Sequence, residues 1–197
     1  MPARAIGVFG GTFDPIHLGH LIAAQSVRDA LGLSRVVFVP SGSPPHKRSR
    51  DLAPAELRHR MVRMAVAGNR AFAASDLELG SGRPAYTIDT LRIMHRECRG
   101  APLHLLLGMD QALLLDTWKE PQQLFELAAV AVFARPGYDP KMLPPKWRRR
   151  VNIVEIPQVD ISASDIRNRV RQGRSIRYLV PEAVAAFISR HRLYLKG

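Results

Sequence analysis

Short, wholly apolar runs alternate with stretches of helical periodicity along almost the whole chain, and that order constrains the fold more than any other feature. Residues 6–9, 36–39, 103–107, 129–134 and 151–156 read as buried strands, with 71–79 as a further extended segment. Between them, residues 19–31 carry Leu21, Ile22, Ala24 and Val27 on related helical faces. Residues 54–67 place Pro54 near a helix start and Leu57, Met61 and Met64 at helical spacing. Residues 87–99 and 121–128 read as helices, as does 181–191 near the end. Another helix runs to about Gln172, capped by Ser162 or Ser164 and stopped by Gly173. Strand–helix alternation of this kind predicts an α/β chain, with a parallel sheet covered by helices on both faces and a small helical carboxyl-terminal part. Ligands of such sheets sit beyond the carboxyl ends of the strands. The loops starting at Gly10, Pro40, Gly108 and Arg135 all follow strands, so they are expected to converge on one edge.

At 197 residues the chain reads as a single domain over 1–197, with 161–197 as a helical carboxyl-terminal segment; 138–150, proline-rich and basic, is the one candidate insertion. The lone cysteine, Cys98, rules out an internal disulfide and fits a reducing compartment. Residues 1–11 hold no apolar run of signal-peptide length, and no stretch approaches the ~20 apolar residues of a membrane span. A cytoplasmic, soluble protein without a membrane partner is therefore expected. A homo-oligomer is compatible with the sequence. The formal net charge is +12, and residues 141–197 hold thirteen Lys or Arg against four Asp or Glu. That surplus attracts polyanions without choosing among nucleotides, nucleic acids and acidic lipids.

Two segments carry chemistry. The first is Gly10-Gly11-Thr12-Phe13-Asp14-Pro15-Ile16-His17-Leu18-Gly19-His20, at a strand-to-helix junction. Paired glycines let backbone approach a ligand, and the following helix start offers unpaired N–H groups and a positive dipole end to an anion. His17 and His20, three apart at that start, can face the same way and donate to phosphate oxygens as charge develops. Competing readings are a tight turn with exposed or capping histidines, and a zinc pair. Zinc is disfavoured because no cysteine pair is available and Asp14 is the one obvious nearby carboxylate. The second segment is Ile161-Ser162-Ala163-Ser164-Asp165-Ile166-Arg167. Its serines can cap a helix or bind an anion, and Arg167, one turn in, can fork onto a phosphate. In isolation it reads as an ordinary cap followed by a surface arginine, with Asp165 a favourable first-turn charge.

Together these segments resemble the two signatures of the nucleotidyltransferase superfamily with the HxGH motif, and within it the bacterial nicotinate-nucleotide adenylyltransferases. Supporting segments follow in the same order: Pro44-Pro45-His46-Lys47, Ala85-Tyr86-Thr87-Ile88-Asp89-Thr90-Leu91, Gly108-Met109-Asp110, Thr117-Trp118, Arg135-Pro136-Gly137 and Tyr178-Leu179-Val180-Pro181. The resemblance implies a Rossmann-like fold and adenylyl transfer from ATP to nicotinic acid mononucleotide, within NAD biosynthesis. It implies that Gly10, Gly11, Thr12 and Phe13 line the nucleotide, with Ser162 and Ser164 at the second helix start. It implies that His17 and His20 hold the ATP phosphates, helped by Lys47 and Arg167. Tyr86, Thr87, Asp110, Trp118 and Arg135 would surround the mononucleotide, the Trp118 indole lying against its pyridine ring. This chain has Ala85 where the family often has Ser, Ser81 where it often has Arg, and Ser164 where Thr is common.

The mononucleotide phosphate is anionic at neutral pH, so its attack on the α-phosphate needs alignment and charge stabilisation rather than a general base. A magnesium ion held mainly through phosphates and water suits that task, and few or no protein metal ligands are expected. Alternative acceptors are nicotinamide mononucleotide and phosphopantetheine. A basic nucleic-acid-binding module is the reading from another class, but it lacks a stacking platform and leaves residues 10–20 unexplained. Gly80-Ser81-Gly82-Arg83-Pro84-Ala85 fits a dinucleotide fingerprint in form, but Pro84 suits it badly and no helix follows directly, so it reads as a loop. Met61 and Met64 read as core filler, and Trp147 with Arg148-Arg149-Arg150 as a solvated face. His59, His95, His104 and His191 show no partner pattern, and nothing marks Cys98 as a nucleophile.

Overall fold

The computed structural model describes residues 5–42, 52–80, 86–134, 137 and 139–195. Six strands form one wholly parallel sheet: β1 (Ile6–Gly11), β2 (Arg35–Pro40), β3 (Phe72–Ala74), β4 (Leu103–Gly108), β5 (Ala129–Phe133) and β6 (Val151–Val154), in the order β3-β2-β1-β4-β5-β6. The chain reverses direction across the sheet between β1 and β4, and such a switch point opens a crevice at the strands' carboxyl edge.

Alternate strand residues feed two separate cores, because successive side chains point to opposite faces. Phe9, Val36, Phe38, Leu106, Ala131 and Phe133 pack on one face beneath α1 (Leu18–Leu31), α2 (Ala55–Val66), α7 (Ala163–Arg171) and α8 (Glu182–Arg190). Val8, Val37, Val39, Leu105, Leu107, Val130 and Val132 pack on the other, beneath α3 (Thr87–Glu97), α4 (Met109–Ala112), α5 (Pro121–Leu127) and α6 (Pro145–Arg148). Burial on both faces is why the strands read as continuous apolar runs rather than alternating ones. No described helix is long and apolar enough to cross a membrane.

Several expectations shift. The first strand does not stop before its glycines: Gly10 pairs with Val39 and Gly11 with Pro40, so the ladder carries both to the sheet edge. Residues 71–79 are extended only over Phe72–Ala74, and a turn follows. The inward face of α2 is Arg58, Met61, Val62 and Val66, so Met64 points outward at 38% exposure. Trp147 is no part of a solvated face. It is buried, its ring stacks on Phe125 at 5.3 Å, and its indole N–H donates to Asp116 Oδ1 at 3.0 Å. Arg148, Arg149 and Arg150 beside it are exposed. The loop reading of Gly80–Ala85 lies outside the described residues from Ser81 to Ala85.

Candidate active site

A cavity of about 820 Å³ opens at the carboxyl edge of the strands, over the switch point. Gly10, Gly11, Thr12, Phe13, His17 and His20 line it from the β1–α1 junction. Tyr86 and Thr87 line it from the start of α3, Asp110 and Trp118 from beyond β4, and Ser162, Ser164 and Arg167 from α7. The structure therefore gathers these thirteen sequence-selected residues around one space, although 147 positions separate His20 from Arg167. Lys47 and Arg135 lie outside the described residues.

Packing shapes the first motif. A Cβ on Gly11 would come within 2.9 Å of the Phe13 ring, so glycine is what lets that ring tuck beneath the strand end. Phe13 itself takes φ 47 and is buried edge-on to Phe9 and to His20, with centroids 5.6 and 5.0 Å apart. Gly19 is tightly packed too, since a Cβ there would meet His17 Nδ1 at 3.1 Å and require the imidazole to give way slightly. The two imidazoles stack at 3.6 Å and form a capping box around the start of α1. His20 Nδ1 accepts from the His17 backbone N–H at 3.2 Å, so in the neutral ring the proton sits on Nε2. The capping reading and the phosphate reading are thus compatible: the same hydrogen bond that fixes the His20 ring holds it on the cavity wall.

The second motif is tied to the first. Ser162 is the N-cap of α7 and accepts from the Asp165 N–H at 3.1 Å. Asp165 in turn holds Arg169 at 2.7 Å. Arg167 Nη1 donates to the Asp14 carbonyl at 2.7 Å, and Nη2 to Ser164 Oγ at 3.3 Å. Arg167 is therefore no free surface arginine; its side chain is 16% exposed at the cavity wall.

Several residues on or beside the cavity wall escaped the sequence. Arg58 is 2% exposed and donates to the carbonyls of Ala53 at 2.9 Å, Thr12 at 2.6 Å, Ser41 at 2.7 Å and Gly42 at 3.3 Å. It ties the loop after β1 to the exit of β2, and burial draws its pKa down, opposed chiefly by Asp14. Ser41 lines the cavity with a buried hydroxyl that has no hydrogen-bond partner among the described residues. Glu78, also on the wall, accepts from Thr90 Oγ1 at 2.6 Å, and burial raises its pKa. Lys119 lines the cavity with its ammonium 4.8 Å from the Tyr86 ring centroid. Arginines on helices and serines after strands are common, so only tertiary placement singles these out.

The geometry fits the cytidylyltransferase-like family, whose pattern matches residues 8–169. A protein of Rubrobacter xylanophilus named "Probable nicotinate-nucleotide adenylyltransferase" is 46% identical, over 96% of this chain and 91% of its own length. Proteins of the same name from Thermus thermophilus and Symbiobacterium thermophilum are 45% and 43% identical, over 96% and 98% of this chain and 98% and 96% of theirs. The chain belongs to this family. A likeness of fold comes from the nicotinic acid mononucleotide adenylyltransferase of Plasmodium falciparum: solved with NaAD, it superposes with a TM-score of 0.81 at 20% identity over 97% of both chains. The same protein solved with APC superposes with a TM-score of 0.79.

Proposed function

We propose that this chain transfers the adenylyl group of ATP to nicotinic acid mononucleotide, forming deamido-NAD and releasing pyrophosphate. One observation carries the reading most directly: Arg167, from the second motif, is hydrogen-bonded to the backbone of Asp14, in the first, at the wall of a cavity large enough for two nucleotides. The relatives' shared name is consistent with it.

A phosphate oxygen of the mononucleotide attacks the α-phosphorus of ATP; the bond from that phosphorus to the β-bridging oxygen breaks, and its electrons leave with pyrophosphate. Gly10, Gly11, Thr12 and Phe13 bring main chain close to the nucleotide. His20, its Nδ1 engaged, presents Nε2–H to the developing charge beside the stacked His17, and Arg167 forks onto the phosphates. Ser162 and Ser164 contribute at the start of α7. Lys47 and Arg135 belong to this reading through the family resemblance. Tyr86, Thr87, Asp110 and Trp118 form the opposite wall, where an indole face suits a pyridine ring. Residues 1–197 act as one catalytic unit, with 161–197 supplying the second motif.

Of the three carboxylates that line the cavity among the described residues, Asp14 accepts from Tyr194, Glu78 accepts from Thr90 and Asp110 stands with Trp118 on the mononucleotide wall, whereas backbone, hydroxyl and cationic donors line the phosphate side. That donor set fits a magnesium ion that arrives on the triphosphate and keeps much of its water. When bound, it neutralises charge on the leaving pyrophosphate.

Purified protein given ATP, magnesium and each acceptor in turn should release pyrophosphate with nicotinic acid mononucleotide, more slowly with nicotinamide mononucleotide, and not with phosphopantetheine. Silence with both pyridine mononucleotides overturns the proposal. His20→Ala should lower kcat by at least about a hundredfold, the scale of one lost transition-state donor, while circular dichroism stays unchanged.

A further inference from the structure

The carboxyl end of the chain folds back onto the first phosphate motif. Tyr194 follows α8 with φ 64, a left-handed conformation that a tyrosine holds only where its surroundings fix it. Its hydroxyl donates to Asp14 Oδ1 at 2.6 Å. Burial, and then the neighbouring Asp14 carboxylate, push the phenol's pKa upward, so this hydroxyl remains a donor at any working pH. Asp14 is 1% exposed, and among the described residues its Oδ1 receives one other hydrogen bond, from the Ala53 N–H at a long 3.3 Å. Its Oδ2 is buried without a hydrogen-bond partner among the described residues and lies 3.8 Å from Arg167 Nη1. Arg167 Nε is likewise buried and unpartnered among those residues.

The guanidinium therefore stands between two claims. In the present geometry it serves the Asp14 carbonyl and Ser164 Oγ, and it remains on the cavity wall. A bidentate ion pair with the Asp14 side chain is the competing arrangement, and a buried carboxylate short of donors drives toward it. The Tyr194 hydroxyl occupies that carboxylate and weakens the competition. Tyr194 itself does not line the cavity.

We propose that Tyr194 is a positioning residue for adenylyl transfer: by occupying Asp14 it keeps Arg167 presented to the ATP phosphates instead of withdrawn into an ion pair. The inference rests on the reading of Arg167 as a phosphate ligand.

Steady-state kinetics of Tyr194→Phe, Arg167→Ala and the double variant separate the two. Tyr194→Phe deletes one hydroxyl, and it should raise KM for ATP roughly tenfold, the scale of one charged hydrogen bond. KM for the mononucleotide should change less than about twofold, because the opposite wall is untouched. In the Arg167→Ala background the same substitution should add nothing further, since the residue it positions is gone. A lowered Tm with an unchanged ATP KM in Tyr194→Phe makes Tyr194 a structural brace only and overturns the inference. So does an undiminished Tyr194→Phe effect in the double variant. An unchanged ATP KM in Arg167→Ala instead overturns the assignment of Arg167 itself, and the premise falls with it.

Discussion

Arg58 places a guanidinium inside the protein and answers it with four backbone carbonyls, from Ala53, Thr12, Ser41 and Gly42. Those four carbonyls, on half-buried residues, would lose this donor together, so the residue's value lies in what its removal would strand. Arg58→Met should cost roughly 3–5 kcal/mol, read as a lower urea midpoint, with Arg58→Lys intermediate because a single ammonium cannot fork to carbonyls on three sides. The titration of His104 gives a second expectation at this scale. Burial in β4 holds its pKa below the ordinary 6.5, and its Nδ1 has no hydrogen-bond partner among the described residues. The unfolded chain takes up a proton as pH falls through 6.5 while the folded chain resists, so stability contributed by the neutral ring is lost from about that pH downward. His59 is shifted the same way, also by burial. His104→Gln, which does not titrate, should show a shallower loss of urea stability between pH 7 and pH 5 than the parent. An unchanged slope would mean that His104 does not contribute to it. Neither Arg58 nor His104 could be singled out from sequence, because an arginine on a helix or a histidine in a strand reads the same whether it is buried or exposed.

At the scale of single elements, legibility followed length and periodicity. The long helices and the buried strands lie within a few residues of the spans that the sequence predicts, since apolar runs and caps mark them independently of context. The failures are short or depend on a partner. Helix α2 presents Arg58 inward and Met64 outward because the pinned loop carbonyls need donors, a demand that apolar periodicity cannot express. Helix α6 spans only Pro145–Arg148, too short to show a period, and its Trp147 is buried by a ring on α5 and an acceptor, Asp116, distant in sequence. Helix α7 is the opposite case, with its serine cap and glycine stop both visible in the sequence. Ser162→Ala removes the acceptor of the Asp165 N–H and should cost about 1 kcal/mol. Because α7 carries Arg167 near its start, the same variant should raise KM for ATP more than KM for the mononucleotide. Equal changes in both would place the effect of the cap outside phosphate handling.

For the whole molecule, the order of strands and helices dictates a sheet with a core on each face and a crevice where the connections change direction, and this much the sequence carried by itself. Which residues meet in the crevice was legible only through the pairing of the two motifs, because Gly10–His20 alone supports no more than a phosphate at a helix start. The structure adds the links between them: Arg167 to Asp14, Asp14 to Tyr194, and Arg58 to Thr12. The cavity consequently draws its walls from both layers, with α1 and α7 on one face and α3 and α4 on the other. A ligand that spans it bridges two cores that otherwise communicate through the sheet, and it binds only when both are folded. Deamido-NAD, the proposed product, contacts both ends of the cavity in this reading, so it should stabilise the fold more than either half alone. At a hundredfold excess over its Kd the gain is about 2.7 kcal/mol, which for a chain of this size corresponds to a Tm rise of roughly 5–10 °C. AMP and nicotinic acid mononucleotide, matched in concentration, should each give a smaller rise because each touches one end and binds more weakly. Equal shifts from AMP and from deamido-NAD would mean that the pyridine end contributes no binding, and would remove Trp118 and Asp110 from the site.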